Sequence, residues 1–281
     1  MSLLNSLLRR FFDLALYPVS GLSPLVGLLV VSLLVGVAML LVFKVTSNQE
    51  KLAAVKRRIH AGLFEIRLFN DDLRAILRAQ GDILRHNFSY IGLSAVPLLW
   101  MIVPFVLLVA QLQFFYGYQG LEPGDQTLVT VELKEDWSHS LGQSARPPFE
   151  LVAPEGLQVE AGPVWVPALR ELIWRVSAVE WGDYELTVAS ENGSFTKSVR
   201  VSDRVARRSP SRLEPGFVNQ LLYPAEDPLP AAAPIRAIRL TYPGGDAGVE
   251  GWESEWTWMI VFFILSIVVA FALRKPLKVT I

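Results

Sequence analysis

EKLAAVKRRIHAGLFEIRLFNDDLRAILRAQGDILRHN, residues 50–87, is basic, amphipathic and free of proline, yet it lies between two of the most apolar stretches of the chain. Its apolar residues recur at three- and four-residue steps, from Leu52, Val55 and Ile59 to Leu73, Ile76 and Leu84, which marks a helical stripe. The chain leaves one apolar stretch at residue 43 and enters the next at residue 91, so it must reverse direction inside this segment. Asn70 and Asp71 resemble helix-capping material and are the first choice for the turn, with Gly62 the second. The expectation is a helical hairpin over residues 44–88, its two apolar stripes facing each other as in a short coiled coil.

On either side, three segments have the length needed to cross a bilayer core of about 30 Å, which takes roughly 20 apolar residues. They are residues 25–43, 91–112 and 256–273, and none contains a charge. The second includes Pro97 and Pro104, each of which removes a backbone donor and predicts a kink. Trp252, Trp256 and Trp258 gather at the start of the third, where indoles favour the headgroup layer. The first apolar run is longer than the core of a signal peptide and is followed directly by Lys44, so it reads as a retained span.

Charge sets the orientation. Residues 44–88 hold nine Lys and Arg against five acids, and the tail 274–281 holds Arg274, Lys275 and Lys278 with no acid. Both should face the cytoplasm. Residues 114–255 carry 12 basic and 21 acidic side chains and would lie outside. The reading is a multi-pass protein of a bacterial inner membrane, N-terminus out and C-terminus in. Residues 1–20 repeat Leu3, Leu7, Phe11 and Leu14 against Asn5, Arg9 and Asp13, an amphipathic helix. It either lies in the outer interface of the bilayer or packs on the spans.

Residues 125–245 read as β-structure. Seven short alternating runs, beginning with LVTVELK at 128–134 and ending with IRLTY at 238–242, are separated by Gly, Pro and Asp turns. Asn192-Gly193 is a hairpin signal. WGDYELTVASENGSFTKSVRVS, residues 181–202, resembles the last strands of bacterial immunoglobulin-like modules. Residues 204–234, rich in proline, arginine and alanine, read as a long loop or connecting arm. The fold class is therefore membrane α plus β: three transmembrane helices, a cytoplasmic helical hairpin and an extracytoplasmic immunoglobulin-like β-sandwich.

Little in the sequence supplies catalytic chemistry. There is no cysteine, so disulfides, thiolate metal sites and thiol nucleophiles are excluded. His60, His86 and His139 are far apart, and Asp71 and Asp72, being adjacent, point in different directions on a helix. Glu135, Asp136 and His139 could bind an ion but read more simply as a surface turn. No enzyme activity, cofactor or metal is expected, nor any direct readout of nucleic acid. The hairpin cations Lys56, Arg57, Arg58, Arg67, Arg74 and Arg78 are either a solvated face or a surface for anionic lipid headgroups, a ribosome or an acidic partner.

The order of parts carries the most information. An outer amphipathic helix, a span, a basic hairpin, a second span and a third resemble the core of the YidC/Oxa-type membrane-protein insertase superfamily. The likeness is to its reduced three-span members, among them archaeal insertase-like proteins and subunits of the endoplasmic-reticulum membrane complex, and it covers residues 1–112 and 255–281. It implies a groove between the spans, open to lipid and cytoplasm, that eases a polar segment into the bilayer. The polar groups available to it here are Ser32, Ser94, Gln111 and Ser266, with Lys56, Arg57 and Arg58 meeting nascent chain or ribosome. No span carries the arginine that bacterial members place in the groove, and residues 125–245 stand where reduced members have little. The second reading is therefore a non-catalytic subunit of a membrane complex, binding one partner through its outer domain and another through its hairpin.

Overall fold

The computed structural model describes residues 2–135, 146–191, 193–245 and 256–280. Asn192, Trp252, Asp136 and His139 lie outside the described residues. The protein combines helices with a β-sheet region, and its contacts divide it into two compact units. One comprises Met1–Leu28 and Leu107–Val261, the other Leu29–Val106 and Phe262–Ile281.

Four helices precede the β-region: α1 (Ser2–Leu16), α2 (Pro24–Thr46), α3 (Gln49–Leu68) and α4 (Leu73–Tyr116). Two of them, α2 and α4, are long and apolar enough to cross a membrane. The strands are β1 (Gln126–Leu133), β2 (Phe149–Val152), β3 (Leu157–Val166), β4 (Glu171–Ala178), β5 (Gly182–Ser190), β6 (Gly193–Val201), β7 (Ser211–Leu213) and β8 (Ile235–Leu240). A short helix, α5 (Phe217–Leu222), lies between β7 and β8, and α6 (Thr257–Leu273) follows the sheet region. At 17 residues, α6 is apolar but shorter than the other two.

In the second unit, Asn48 caps α3 by accepting from the Lys51 amide at 3.0 Å. The chain turns over residues 69–72, and the Asp72 carboxylate caps α4, accepting from the amides of Arg74 at 2.8 Å and Ala75 at 3.2 Å. The turn thus contains the Asn70-Asp71 pair, and the capping residue is the next one. Two expectations need correction. The second arm of the hairpin and the second apolar stretch are one helix of 44 residues, about 66 Å at 1.5 Å per residue. It runs through Pro97 and Pro104, and at its polar-to-apolar junction Asn87 and Ser89 donate back to the carbonyls of Ile83 and Arg85. Polar side chains that bond within their own helix supply no stop signal.

The apolar stripes, moreover, do not fully face each other. The close contact between α3 and α4 is made by small residues: Gly62 and Ala79 are buried, whereas Leu63, Leu73, Leu77 and Leu84 are exposed. A Cβ built on Gly62 would stand 2.7 Å from Ile83 Cγ1. Replacing Gly62 by leucine is therefore expected to open the hairpin, read as a longer distance between spin labels at Arg58 and Arg85; an unchanged distance would refute this. At the other end of the unit, Leu40 and Phe43 of α2, Leu52 of α3 and Val279 of the tail share a small core. The tail is tied down by Lys44 Nζ donating to the Leu277 carbonyl at 2.9 Å and by the Thr280 amide donating to Gln49 Oε1 at 2.7 Å.

In the first unit the named strands pair antiparallel among the described residues, and Leu121 adds an isolated parallel bridge to Val201. One sheet has the order β3-β4-β1-β8-β7 and the other β2-β5-β6. Alternation explains the core: Val129 and Val131 of β1, Leu172 and Trp174 of β4, and Leu186 and Val188 of β5 all turn into it. Residues 204–234 are not a bare loop. They contain β7 and α5, and bury Val205, Arg208, Ser209, Leu229 and Ala233.

Candidate functional site

In the second unit, the three polar groups expected in a groove, Ser32, Ser94 and Ser266, do not share one environment. Ser32 of α2 is fully buried and its hydroxyl has no hydrogen-bond partner among the described residues; the Ser266 hydroxyl of α6 is likewise buried and unpartnered among them. One turn beyond Ser32, Gly36 lets α2 and α6 meet, since a Cβ there would stand 2.9 Å from Val269 Cγ1 and 3.4 Å from the Ser266 carbonyl. This is small-residue packing of the kind that joins helices in lipid. Ser94 is half-buried on α4.

The hairpin cations are largely displayed: Arg57, Arg58, Arg67, Arg74 and Arg78 are exposed and Lys56 is half-buried. They share the hairpin with exposed apolar side chains, Leu63, Phe64, Leu68, Phe69, Leu73 and Leu77. A merely solvated helix face would carry the charges without these.

Gln111 belongs to the first unit and is only 1% exposed. Its Oε1 accepts from Arg207 Nη1 at 2.7 Å. Arg207 also donates through Nε to Asp13 at 3.0 Å and through Nη2 to the Arg9 carbonyl at 3.0 Å, and its guanidinium lies 4.9 Å from the centre of the Phe115 ring. One side chain thus ties α1, the end of α4 and the 204–234 arm together. Burial pushes the Arg207 guanidinium below its ordinary value, while Asp13 pulls it back. Arg208 donates to carbonyls, the nearest those of Arg204 at 2.7 Å and Tyr118 at 2.9 Å, and burial lowers it to about 10. It stays charged at neutral pH.

A second buried charge sits on β6. Lys197 is fully buried, and its ammonium donates to Glu226 Oε2 at 2.7 Å and to the carbonyls of Ser209 at 2.6 Å and Ser198 at 3.0 Å. Beside these groups an open cleft of about 1230 Å³ is bordered by Asp13, Tyr17, Trp181, Asp183, Arg204 and Arg207. Among the described residues, no group of three or more His, Asp or Glu side chains could hold a metal ion.

None of the buried ionic residues was anticipated as a site residue, although one was readable. In FTKSVRV, Phe195, Lys197, Val199 and Val201 fall on one face of a strand, so period-two alternation alone turns Lys197 inward. For Arg207 and Arg208 the signal was only a pair of arginines before a proline. Comparison with protein-family models, with curated proteins and with solved structures returns no match for this chain.

Proposed function

We propose that this protein is a multi-pass membrane protein of the YidC/Oxa insertase type, assisting membrane segments as they enter or assemble in a bacterial inner membrane. In this reading α2, the apolar part of α4 and α6 are three spans, with the α3–α4 hairpin in the cytoplasm and an immunoglobulin-like β-sandwich outside. The observation that carries it is the hairpin surface, where exposed arginines alternate with exposed Leu and Phe side chains. Such a surface suits a client that is itself apolar and flanked by acidic groups or lipid phosphate, and large exposed apolar patches mark interaction sites. Its partners are then the lipid bilayer, nascent chains and other membrane proteins.

The test is insertion of a membrane-protein reporter in cells depleted of the chain and complemented with variants. Reversing Arg58, Arg67 and Arg74 to glutamate removes about 1 kcal/mol of attraction per site to an anionic surface. Reporter insertion should fall while the variant remains in the membrane. Wild-type insertion by the reversed chain would overturn the reading. Single cysteines at Arg58 and Leu169, in a chain with none of its own, fix the orientation: only the one at Leu169 should react with an impermeant thiol reagent in intact cells.

One observation favours a second reading, a non-catalytic subunit of a larger membrane complex. Ser32 is sealed rather than displayed, and Gly36 brings α2 and α6 into direct contact. Fixed-stoichiometry co-purification with other membrane proteins, without an insertion defect on depletion, would select it.

A further inference from the structure

Helix α1 exposes Leu7, Phe11 and Leu14, and Tyr17 continues the same three- and four-residue spacing. Leu14 is 77% exposed. The polar side of the helix is taken up inside its own unit. Asn5 Nδ2 donates to the Gln220 carbonyl at 2.6 Å, Arg9 pairs with Asp227, and Asp13 pairs with Arg207 at 3.0 Å.

The first of these bonds leads to α5. This helix, FVNQLL, contains no charged residue, and it leaves Phe217 66% and Val218 60% exposed, with Leu222 and Tyr223 also uncovered. Two touching helices therefore each leave an apolar row uncovered.

The page also says what covers it. Only residues 17–23 separate α1 from α2, which is long and apolar enough to cross a membrane. Seven residues reach at most about 25 Å, so α1 stays near the plane where α2 enters the bilayer, and α5 is bonded to α1. Arg10, exposed beside Phe11, suits phosphate headgroups. We infer that α1 and α5 form a lipid-inserted foot. Phe217, Val218 and Leu222 enter the outer leaflet beside Leu7, Phe11 and Leu14, and fix the β-unit against the membrane surface. This goes beyond the insertase reading and holds for either function, since it needs only that α2 spans.

The full-length chain in nanodiscs tests it, with an environment-sensitive fluorophore on single cysteines at Leu34, Leu14, Val218 and Leu169, all exposed positions. Lipids carrying a nitroxide near the headgroup or near the chain end report depth. The expected result is loss of emission from Leu34 with the deep quencher, loss from Leu14 and Val218 with the shallow one, and none from Leu169. If Val218 matches Leu169 while Leu34 and Leu14 are quenched, the foot is wrong and α5 is free for a protein partner. If Leu34 is not quenched, the membrane assignment fails and the foot with it.

Discussion

Glu226→Ala is expected to cost the β-unit about 3–5 kcal/mol, the usual penalty for removing one member of a buried ion pair. Lys197, fully buried on β6, would keep two carbonyl acceptors and lose the one carboxylate it pairs with among the described residues. An ammonium stranded in that way either stays charged at high cost or sheds its proton. The readout is the urea midpoint at which the β-unit of the full-length protein loses protease resistance. The double variant Lys197→Met, Glu226→Leu should recover most of the loss, because the pair as a whole contributes little beyond what well-packed apolar groups would. A midpoint left unchanged by Glu226→Ala would show that the pair is not the closing element of this end of the sheet.

The same pair sets an acid limit. Burial pushes the Glu226 carboxyl up, but the Lys197 ammonium, with the Ser198 amide and the Ser209 hydroxyl as donors, outweighs burial, so it ionises below its ordinary value. A carboxylate depressed in the folded state contributes stability that is fully present above the unfolded value of about 4.3 and is lost as pH falls through the folded one. Thermal midpoints of the wild type should therefore drop as pH is lowered below about 4, and those of Glu226→Gln should drop less steeply. Equal slopes would remove the linkage.

How much could be read in advance differs by element, and the reason is where each residue finds its partner. Strands occupy all seven alternating stretches, because a period of two is a property of neighbouring residues alone. The hairpin turn was readable to within a residue or two, since capping is also local. The continuity of α4 was not: residues 85–90 change from polar to apolar, and a change of solvent was read as a change of element. The 204–234 arm was misread for the opposite reason. Its prolines and arginines look like loop material until tertiary partners are known, and here Arg208 and Arg212 donate to carbonyls distributed over several segments. Of the expected groove residues, Gln111 is the most informative, because its real partner, Arg207, lies 96 positions away.

That contact leads to the second large effect. Arg207→Ala is expected to loosen α1 on the β-unit while leaving the sheets folded. The guanidinium makes two charged-to-neutral bonds, to Gln111 and to the Arg9 carbonyl, each worth about 1.5–3 kcal/mol. The Asp13 pair adds little, because that carboxylate is 53% exposed and screened. Asn5 and Arg9 still hold the helix at Gln220 and Asp227, so the net loss should be about 2–4 kcal/mol. Amide hydrogens of residues 6–15 should then exchange at least about tenfold faster, since 1.4 kcal/mol is a factor of ten, while those of β6 keep their wild-type rate. Lysine should not rescue the site: a single ammonium cannot reproduce a planar fork that reaches a carboxylate, an amide and a backbone carbonyl at once. Faster exchange in α1 and β6 together would mean that Arg207 supports the unit as a whole. Unchanged exchange in both would mean that Asn5 and Arg9 suffice to hold α1.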